Sequence, residues 1–128
     1  MPPHSPELLK AALTLGPVAA QVNADSYLFR NYDRGIIDWL SCGTAHGHAI
    51  LIVGFGVEDV TTEWMSPFDF ETQQVEYFII KNSWGKKWGE SGFAKILNTQ
   101  LYDEKGICGL FREGFFAVAK HDDDYIDF

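Results

Sequence analysis

Two apolar runs constrain the fold of this chain more than any other feature of its sequence. HAILIVGFG, residues 48–56, is almost entirely apolar, which is typical of a strand buried on both faces. VEYFIIKNS, residues 75–83, is a second strong strand. Because the chain shows no regular alternation of strands with long helices, we expect these strands to belong to an antiparallel sheet rather than a parallel one.

One helix and about five strands make up the predicted architecture. The helix in SPELLKAALTLGP can be capped by Ser5, and Gly16 followed by Pro17 ends it. The predicted fold class is α+β, with an antiparallel sheet or partly open barrel and one packed helix. Further strands are predicted at 17–23, 92–97 and 114–119, and the apolar stripe of the helix consists of Leu8, Leu9, Ala12 and Leu13.

Two connecting segments are rich in aromatic residues. Residues 26–32 are interpreted as a helical turn in which Tyr27, Leu28 and Tyr32 pack inward. Residues 57–75 are interpreted as a long loop, which is uncommon in a compact domain and often serves a function. Aromatic side chains folded back on the surface and a contact with a partner are both compatible with this loop.

The composition excludes several classes of function. A net charge of −8 and an isoelectric point near 4.8 leave no basic stripe for a phosphate backbone, so nucleic-acid binding is not expected. No apolar run approaches the roughly 20 residues of a membrane-spanning helix. HDDDYIDF, residues 121–128, is an acidic tail, either solvated or able to dock on a basic partner. We therefore predict one domain, residues 1–120, followed by this tail.

A metal or cofactor site is not expected from the sequence. His46 and His48 form an H-x-H pair, but two ligands without a third nearby make a poor metal site. The two cysteines, Cys42 and Cys108, are too few for a zinc site or a disulfide scaffold. From their number alone they are either bonded to each other or two buried thiols.

A tryptophan-rich turn, KNSWGKKWGESGF, follows the second strand at residues 81–93. An asparagine before a Ser-Trp-Gly turn is usually a turn residue, and a histidine at the start of a core strand is usually a packed side chain. Neighbouring antiparallel strands can nevertheless bring Asn82 beside His48, where the amide oxygen would fix the tautomer and direction of the imidazole. Trp84 laid over that bond would exclude water, with Trp88 as a second wall.

Taken together, these segments resemble the C-terminal half of the papain-like cysteine peptidases, including the cathepsins. HAILIVGFG, YFIIKNSWGKKWGESGF and GICGL carry the resemblance, with GPVAAQV and YLFRNYDRGII upstream. It extends from about Glu7 to Ala119, and its most specific part is the KNSWG block combined with a preceding GHA. The resemblance implies the C-terminal lobe of that fold.

The resemblance also implies residue roles. His48 matches the catalytic histidine and Asn82 the asparagine that orients it. Trp84 matches the indole that shields their hydrogen bond, with Ser83 beside it, and Trp88 matches a tryptophan on the primed side of the cleft.

The resemblance also implies a specificity pocket. Gln21, Gly47, Ala49 and Glu113 fall where the family lines its main pocket. A carboxylate at its floor, as in cathepsin B-like members, would accept arginine as well as apolar side chains. Glu113 is otherwise an ordinary surface acid.

The family's nucleophile is absent from this chain. In the family it stands in the N-terminal lobe with the oxyanion-hole glutamine, and no CGSCW-like motif occurs here. The resemblance instead implies that Cys42 and Cys108 form a disulfide. Cys42 is not expected to replace the nucleophile, because no helix N-terminus or neighbouring cation favours its thiolate form.

Two functional hypotheses follow from this half-site. In the first, the chain is the C-terminal half of a papain-like cysteine peptidase, inactive alone, that hydrolyses peptide bonds once a second chain supplies the cysteine lobe. In the second, it is a non-catalytic structural or interaction subunit of a larger assembly. Both predict a protein partner over the face that carries His48 and Trp84. The compartment is unsettled: the family and a disulfide favour lysosomal or secretory proteins, whereas MPPHSPELLK lacks a signal-peptide pattern.

Overall fold

A single sheet forms the framework of the protein. The computed structural model describes residues 6–38, 42–44, 47–63, 70–100, 104–112 and 116–117. Six strands lie in the order β2-β5-β4-β3-β1-β6, and every neighbouring pair is antiparallel except β2 and β5. The strands are β1 (Val18–Val22), β2 (Ile36–Ile37), β3 (His48–Glu63), β4 (Phe70–Lys81), β5 (Phe93–Leu97) and β6 (Phe116–Ala117). The predicted α+β class, with an open and largely antiparallel sheet, is confirmed.

The helix α1, Pro6–Leu13, is the predicted packed helix and lies against β3, β1 and β6. Leu9 and Ala12 are buried under it, whereas Leu8 is 40% exposed, so the predicted apolar stripe is wrong at that residue. A second helix, α2, is a single turn at Tyr27–Arg30, and a 3-10 turn occupies Ile107–Gly109. None of the helices in the described ranges is long and apolar enough to cross a membrane.

The core lies on one face of the sheet, where α1 and the 3-10 turn cover it. Paired residues of neighbouring strands point to the same face, so Ile52 of β3 and Ile80 of β4 enter the core together. The largest fully buried side chains are Phe29, Phe78, Phe111, Leu9, Ile37, Ile52, Ile80, Ile96, Leu110, Val18 and Val22.

The prediction that β3 is buried on both faces is wrong. Ile50 and Ile52 are buried, but Val53 and Phe55 are 37% and 46% exposed. The register with β4 shifts between Ile52 and Gly54, and this bulge adds one residue to β3. The core covers one face of the sheet, and successive side chains of a strand alternate between its two faces, so part of the apolar run must face away from the core.

The prediction of a loop at 57–75 is also wrong for most of its length. β3 continues to Glu63, and β4 begins at Phe70, so the two strands form a long paired ribbon. Valine and threonine recur in this segment, and β-branched residues favour extended strands even among acidic neighbours. Residues 64–69, including Trp64 and Phe68, lie outside the described residues, so the partner contact remains a prediction.

A disulfide joins Cys42 to Cys108 across a sequence separation of 66 residues, as the resemblance implied. Asn23, at the end of β1, ties the two cysteines together: its Nδ2 donates to the Cys42 carbonyl and its backbone N–H to the Cys108 carbonyl at 2.7 Å. The crosslink therefore fixes the segment that enters β3 against the 3-10 turn.

Candidate active site

His48 and Asn82 meet at one end of the sheet, because β3 begins where β4 ends. His48 is the first residue of β3, and Asn82 directly follows β4. Since the two strands are antiparallel neighbours, these ends lie side by side. His48 Nε2 lies 2.9 Å from Asn82 Oδ1, although 34 residues separate them in the sequence.

The direction of this hydrogen bond follows from a second contact. The backbone N–H of Ser83 donates to the same Asn82 Oδ1 at 2.7 Å, which identifies that atom as the acceptor of the carboxamide. An amide oxygen accepts and never donates, so His48 Nε2 carries the proton in their bond. The other ring nitrogen, Nδ1, is then the atom that can take up or release a proton.

The amide nitrogen of the Asn82 side chain is buried without a hydrogen-bond partner. Asn82 is 5% exposed, and among the buried side-chain atoms of the described residues its Nδ2 is the one that has no hydrogen-bond partner. A buried donor without an acceptor costs about 1–3 kcal/mol. Packing alone would not select an asparagine here, because the oxygen is used twice and the nitrogen not at all.

Trp84 covers the imidazole. The centroid of its ring lies 5.1 Å from that of His48, with the planes tilted by 36°. Trp84 is 39% exposed, so one part of the indole shields the ring while another part faces solvent. This placement removes water from one side of the imidazole, which strengthens the electrostatic interactions made there.

Trp88 packs against Trp84, and its role as a second wall of the cleft stays a prediction. It is 7% exposed, its indole N–H donates to the Phe29 carbonyl at 2.9 Å, and its ring meets Trp84 edge-on at 5.7 Å. Phe29 of α2 contacts both tryptophans, at 5.7 Å and 5.1 Å.

Phe29 is the supporting residue that the sequence analysis missed. Tyr27 and Leu28, which were predicted to pack inward, are 77% and 42% exposed, whereas Phe29 is fully buried and Tyr32 is buried as predicted. A helix of one turn is too short for its apolar period to show which side chain faces the core. The cap at Ser26, whose Oγ accepts the Leu28 N–H, sets that phase.

Close packing against Tyr32 explains the glycine after Trp88. Gly89 has a φ of +60°, and a Cβ there would lie 2.6 Å from the Phe93 carbonyl and 2.9 Å from the Tyr32 ring. Tyr32 donates its hydroxyl to the Gly35 carbonyl at 2.7 Å, with Glu90 Oε2 3.1 Å away. Burial of this hydroxyl is the main reason that the pKa of Tyr32 lies well above its usual value of 10.0.

The residues predicted to line the specificity pocket are partly brought together. Gln21 of β1 pairs with Ala49 of β3, and the Gln21 carboxamide occupies the space that a Cβ at Gly47 would need. These three residues therefore lie side by side next to His48. Glu113 lies outside the described residues, so its place at the floor of the pocket remains a prediction.

A cavity of about 590 Å³ opens beside His48 on the side of Trp84. Of the residues predicted for the specificity pocket, Gly47 borders this cavity, whereas Gln21 and Ala49 are not among its described lining residues. Its lining consists of Ala24, Asp25, Arg30, Gly47, His48 and Trp84.

Neither cysteine of the chain is a free thiol. The sequence contains two, and both form the Cys42–Cys108 disulfide. The site thus holds an oriented imidazole, its shield and an adjacent cavity, but it holds no sulfur nucleophile. In the described residues, no group of three or more His, Cys, Asp or Glu side chains is placed to hold a metal ion; His46 lies outside them.

Comparison with known proteins agrees with this geometry. Falcipain-2a of Plasmodium falciparum is 39% identical over 117 residues, which cover 88% of this chain and 22% of that protein. Cathepsin J of Rattus norvegicus is 34% identical over 117 residues, 91% of this chain and 31% of that protein.

Solved structures show the same likeness. A cysteine protease of Carica candamarcensis aligns with a TM-score of 0.71 and 30% identity, covering 94% of this chain and 47% of that one. The bromelain protease from Ananas comosus gives 0.70 and 26%, covering 93% and 48%. The chain thus spans about a quarter of the length of the curated relatives it matches and about half of these two solved chains.

The family profile described as papain family cysteine protease matches residues 2–118, nearly the whole chain. With the sequence likeness and the shared fold, this match establishes that the chain belongs to the papain family of cysteine proteases.

Proposed function

We propose that this chain is the C-terminal lobe of a papain-like cysteine peptidase and supplies the histidine and the orienting asparagine for peptide-bond hydrolysis. The observation that carries the proposal is the 2.9 Å contact between His48 Nε2 and Asn82 Oδ1 beneath Trp84. The unpartnered Nδ2 of Asn82 adds support, because a residue kept only for packing would not leave a buried donor unpaired.

The reaction requires a thiol that this chain does not contain. A cysteine lobe must meet the face formed by His48 and Trp84, either on a second chain or on another part of the same polypeptide. The share of relatives that the chain covers fits this arrangement, since about half of each compared solved structure has no counterpart here. The isolated chain is accordingly inactive in this proposal.

The chemistry assigned to His48 is proton transfer through Nδ1. Nδ1 takes the proton of the incoming thiol, and the thiolate sulfur bonds to the scissile carbonyl carbon. The imidazolium then gives that proton to the leaving nitrogen as the carbon–nitrogen bond breaks, and water later releases the acyl group from sulfur. Asn82 holds the ring throughout by accepting from Nε2–H.

The test is covalent labelling of the natural assembly with a peptidyl epoxysuccinate, which alkylates activated thiols. We expect the label on a cysteine other than Cys42 and Cys108, with labelling slowed at least about 100-fold by His48→Ala. Lys87→Ala, an exposed residue of the tryptophan-rich turn at residues 81–93, is the control variant and should leave the rate unchanged. Absence of labelling, or equal labelling of the His48 variant, would contradict the proposal.

A non-catalytic interaction subunit is the second candidate function. It is favoured by Phe55 and Val57, which are 46% and 56% exposed at the base of the long ribbon. Exposed apolar side chains on a strand are suited to contact with another protein. In this case the labelling experiment fails although the protein is still recovered in its assembly.

A further inference from the structure

Two oppositely charged side chains line the cavity beside His48, and the proposed proton transfer does not use them. Arg30 is the last residue of α2, and Asp25 lies just before the cap of that helix. Both side chains are more than half exposed, at 61% for Arg30 and 69% for Asp25, so each is accessible to a ligand in the cavity.

The Arg30 side chain is held in place by one hydrogen bond, and its outer N–H groups can still bind a ligand. Its Nε–H donates to the Ala24 carbonyl at 3.2 Å, which fixes the base of the guanidinium at the cavity wall. Its terminal nitrogen lies 3.7 Å from Asp25 Oδ1, longer than a hydrogen bond. The outer N–H groups of the planar guanidinium therefore keep the geometry that binds a carboxylate with two parallel hydrogen bonds.

The charges around the cavity favour an anion during the reaction. When His48 carries the extra proton, the imidazolium and Arg30 supply two positive charges, and Asp25 supplies one negative charge. No other ionisable group belongs to the described lining of the cavity. The net positive field is present at the stage when the leaving group is still bound.

The position of the cavity identifies the part of a substrate that it would hold. His48 gives its proton to the nitrogen of the leaving group, so the residue that bears this nitrogen must lie next to His48. The cavity is lined by His48 and Trp84 and also by Asp25 and Arg30, whereas Gln21 and Ala49 are not among its described lining residues. The residue directly after the cleaved bond is therefore the one that enters it.

We propose that Arg30 is a specificity-determining residue, and that the cavity selects substrates with an aspartate or glutamate directly after the cleaved bond. The substrate carboxylate displaces the long Asp25 contact and binds the outer N–H groups of Arg30. This inference rests on the proposed peptidase function, which supplies the leaving group and the imidazolium.

The kinetic test uses the natural assembly and peptide pairs that differ only in Glu or Gln after the cleaved bond. Because Arg30 is exposed, we expect kcat/KM to favour Glu about two- to fivefold, and less at high salt. Arg30→Gln should abolish the preference. Arg34→Gln is the matched control, since Arg34 is also exposed and paired with a neighbouring aspartate, at 3.0 Å, but is not among the described lining residues of the cavity.

A binding test separates this inference from the proposed function. Glu-Ala-amide and Gln-Ala-amide, the amine products of such cleavage, are titrated while the indole N–H signal of Trp84 is followed by NMR. Tighter binding of the Glu peptide, lost in Arg30→Gln, supports the inference even if no peptide is hydrolysed, an outcome in which the proposed function alone fails. Equal binding, or a preference for a Lys-Ala-amide through Asp25, overturns the inference whether or not peptides are cleaved.

Discussion

Replacing Asn82 by leucine should separate the activity of the site from the stability of the fold. Leucine has nearly the same shape but cannot accept the two hydrogen bonds that Oδ1 receives from His48 and Ser83. Each bond is worth about 1 kcal/mol, so their loss should cost about 2 kcal/mol. Removing the unpartnered Nδ2 returns about 1–3 kcal/mol, because that buried donor no longer needs an acceptor. The free energy of unfolding should therefore change by less than about 1 kcal/mol.

Asn23→Leu provides the matched control. Asn23 is also buried, at 8% exposure, but both ends of its carboxamide are bonded, to the Cys42 carbonyl and to the Asp25 N–H. Its replacement loses two hydrogen bonds without removing an unpartnered donor, so we expect a loss of about 2–3 kcal/mol. Urea unfolding followed by tryptophan fluorescence measures both values in the same protein.

In contrast to its small effect on stability, Asn82→Leu should have a large effect on catalytic activity. In the natural assembly, Asn82→Leu should lower kcat/KM at least about 100-fold, because the imidazole loses the acceptor that fixes its tautomer. The reasoning is refuted if Asn82→Leu destabilises the protein as much as Asn23→Leu does. Such a result would mean that Nδ2 already has an acceptor and that Asn82 is an ordinary structural residue.

Three further predictions concern the support of the site. The double variant Cys42→Ser/Cys108→Ser should lose about 4 kcal/mol of unfolding free energy by urea titration, because the disulfide closes a long loop in the unfolded chain; an unchanged midpoint would contradict this. Phe29→Ala should destabilise the protein by about 3–5 kcal/mol and broaden the Trp84 indole signal, since Phe29 packs under both tryptophans; Phe29→Leu is the milder comparison. Tyr32 has a raised pKa in the folded state, so its contribution to stability is fully present below pH 10.0 and decreases as pH rises further; Tyr32→Phe should flatten this alkaline loss in thermal melts, and parallel curves would refute the assignment.

The sequence alone determined the features that depend on local pattern. The apolar runs at 48–56 and 75–83 indicated the two central strands, and the capped stripe indicated α1. The KNSWG block with the preceding GHA indicated the family, because a sequence motif can be identified without a structure. The pairing of Cys42 with Cys108 was also available from that resemblance.

The tertiary structure decided the features that depend on contacts between distant residues. Only one face of the sheet is covered by the core, which leaves Val53 exposed, and strand pairing extended β3 and β4 through a segment that resembles a loop by composition. The half-satisfied carboxamide of Asn82 and the position of Arg30 over the cavity arise from chain segments that meet only on folding. Hydrogen bonding and packing of this kind depend on distances between residues far apart in the sequence, which local sequence patterns do not reveal.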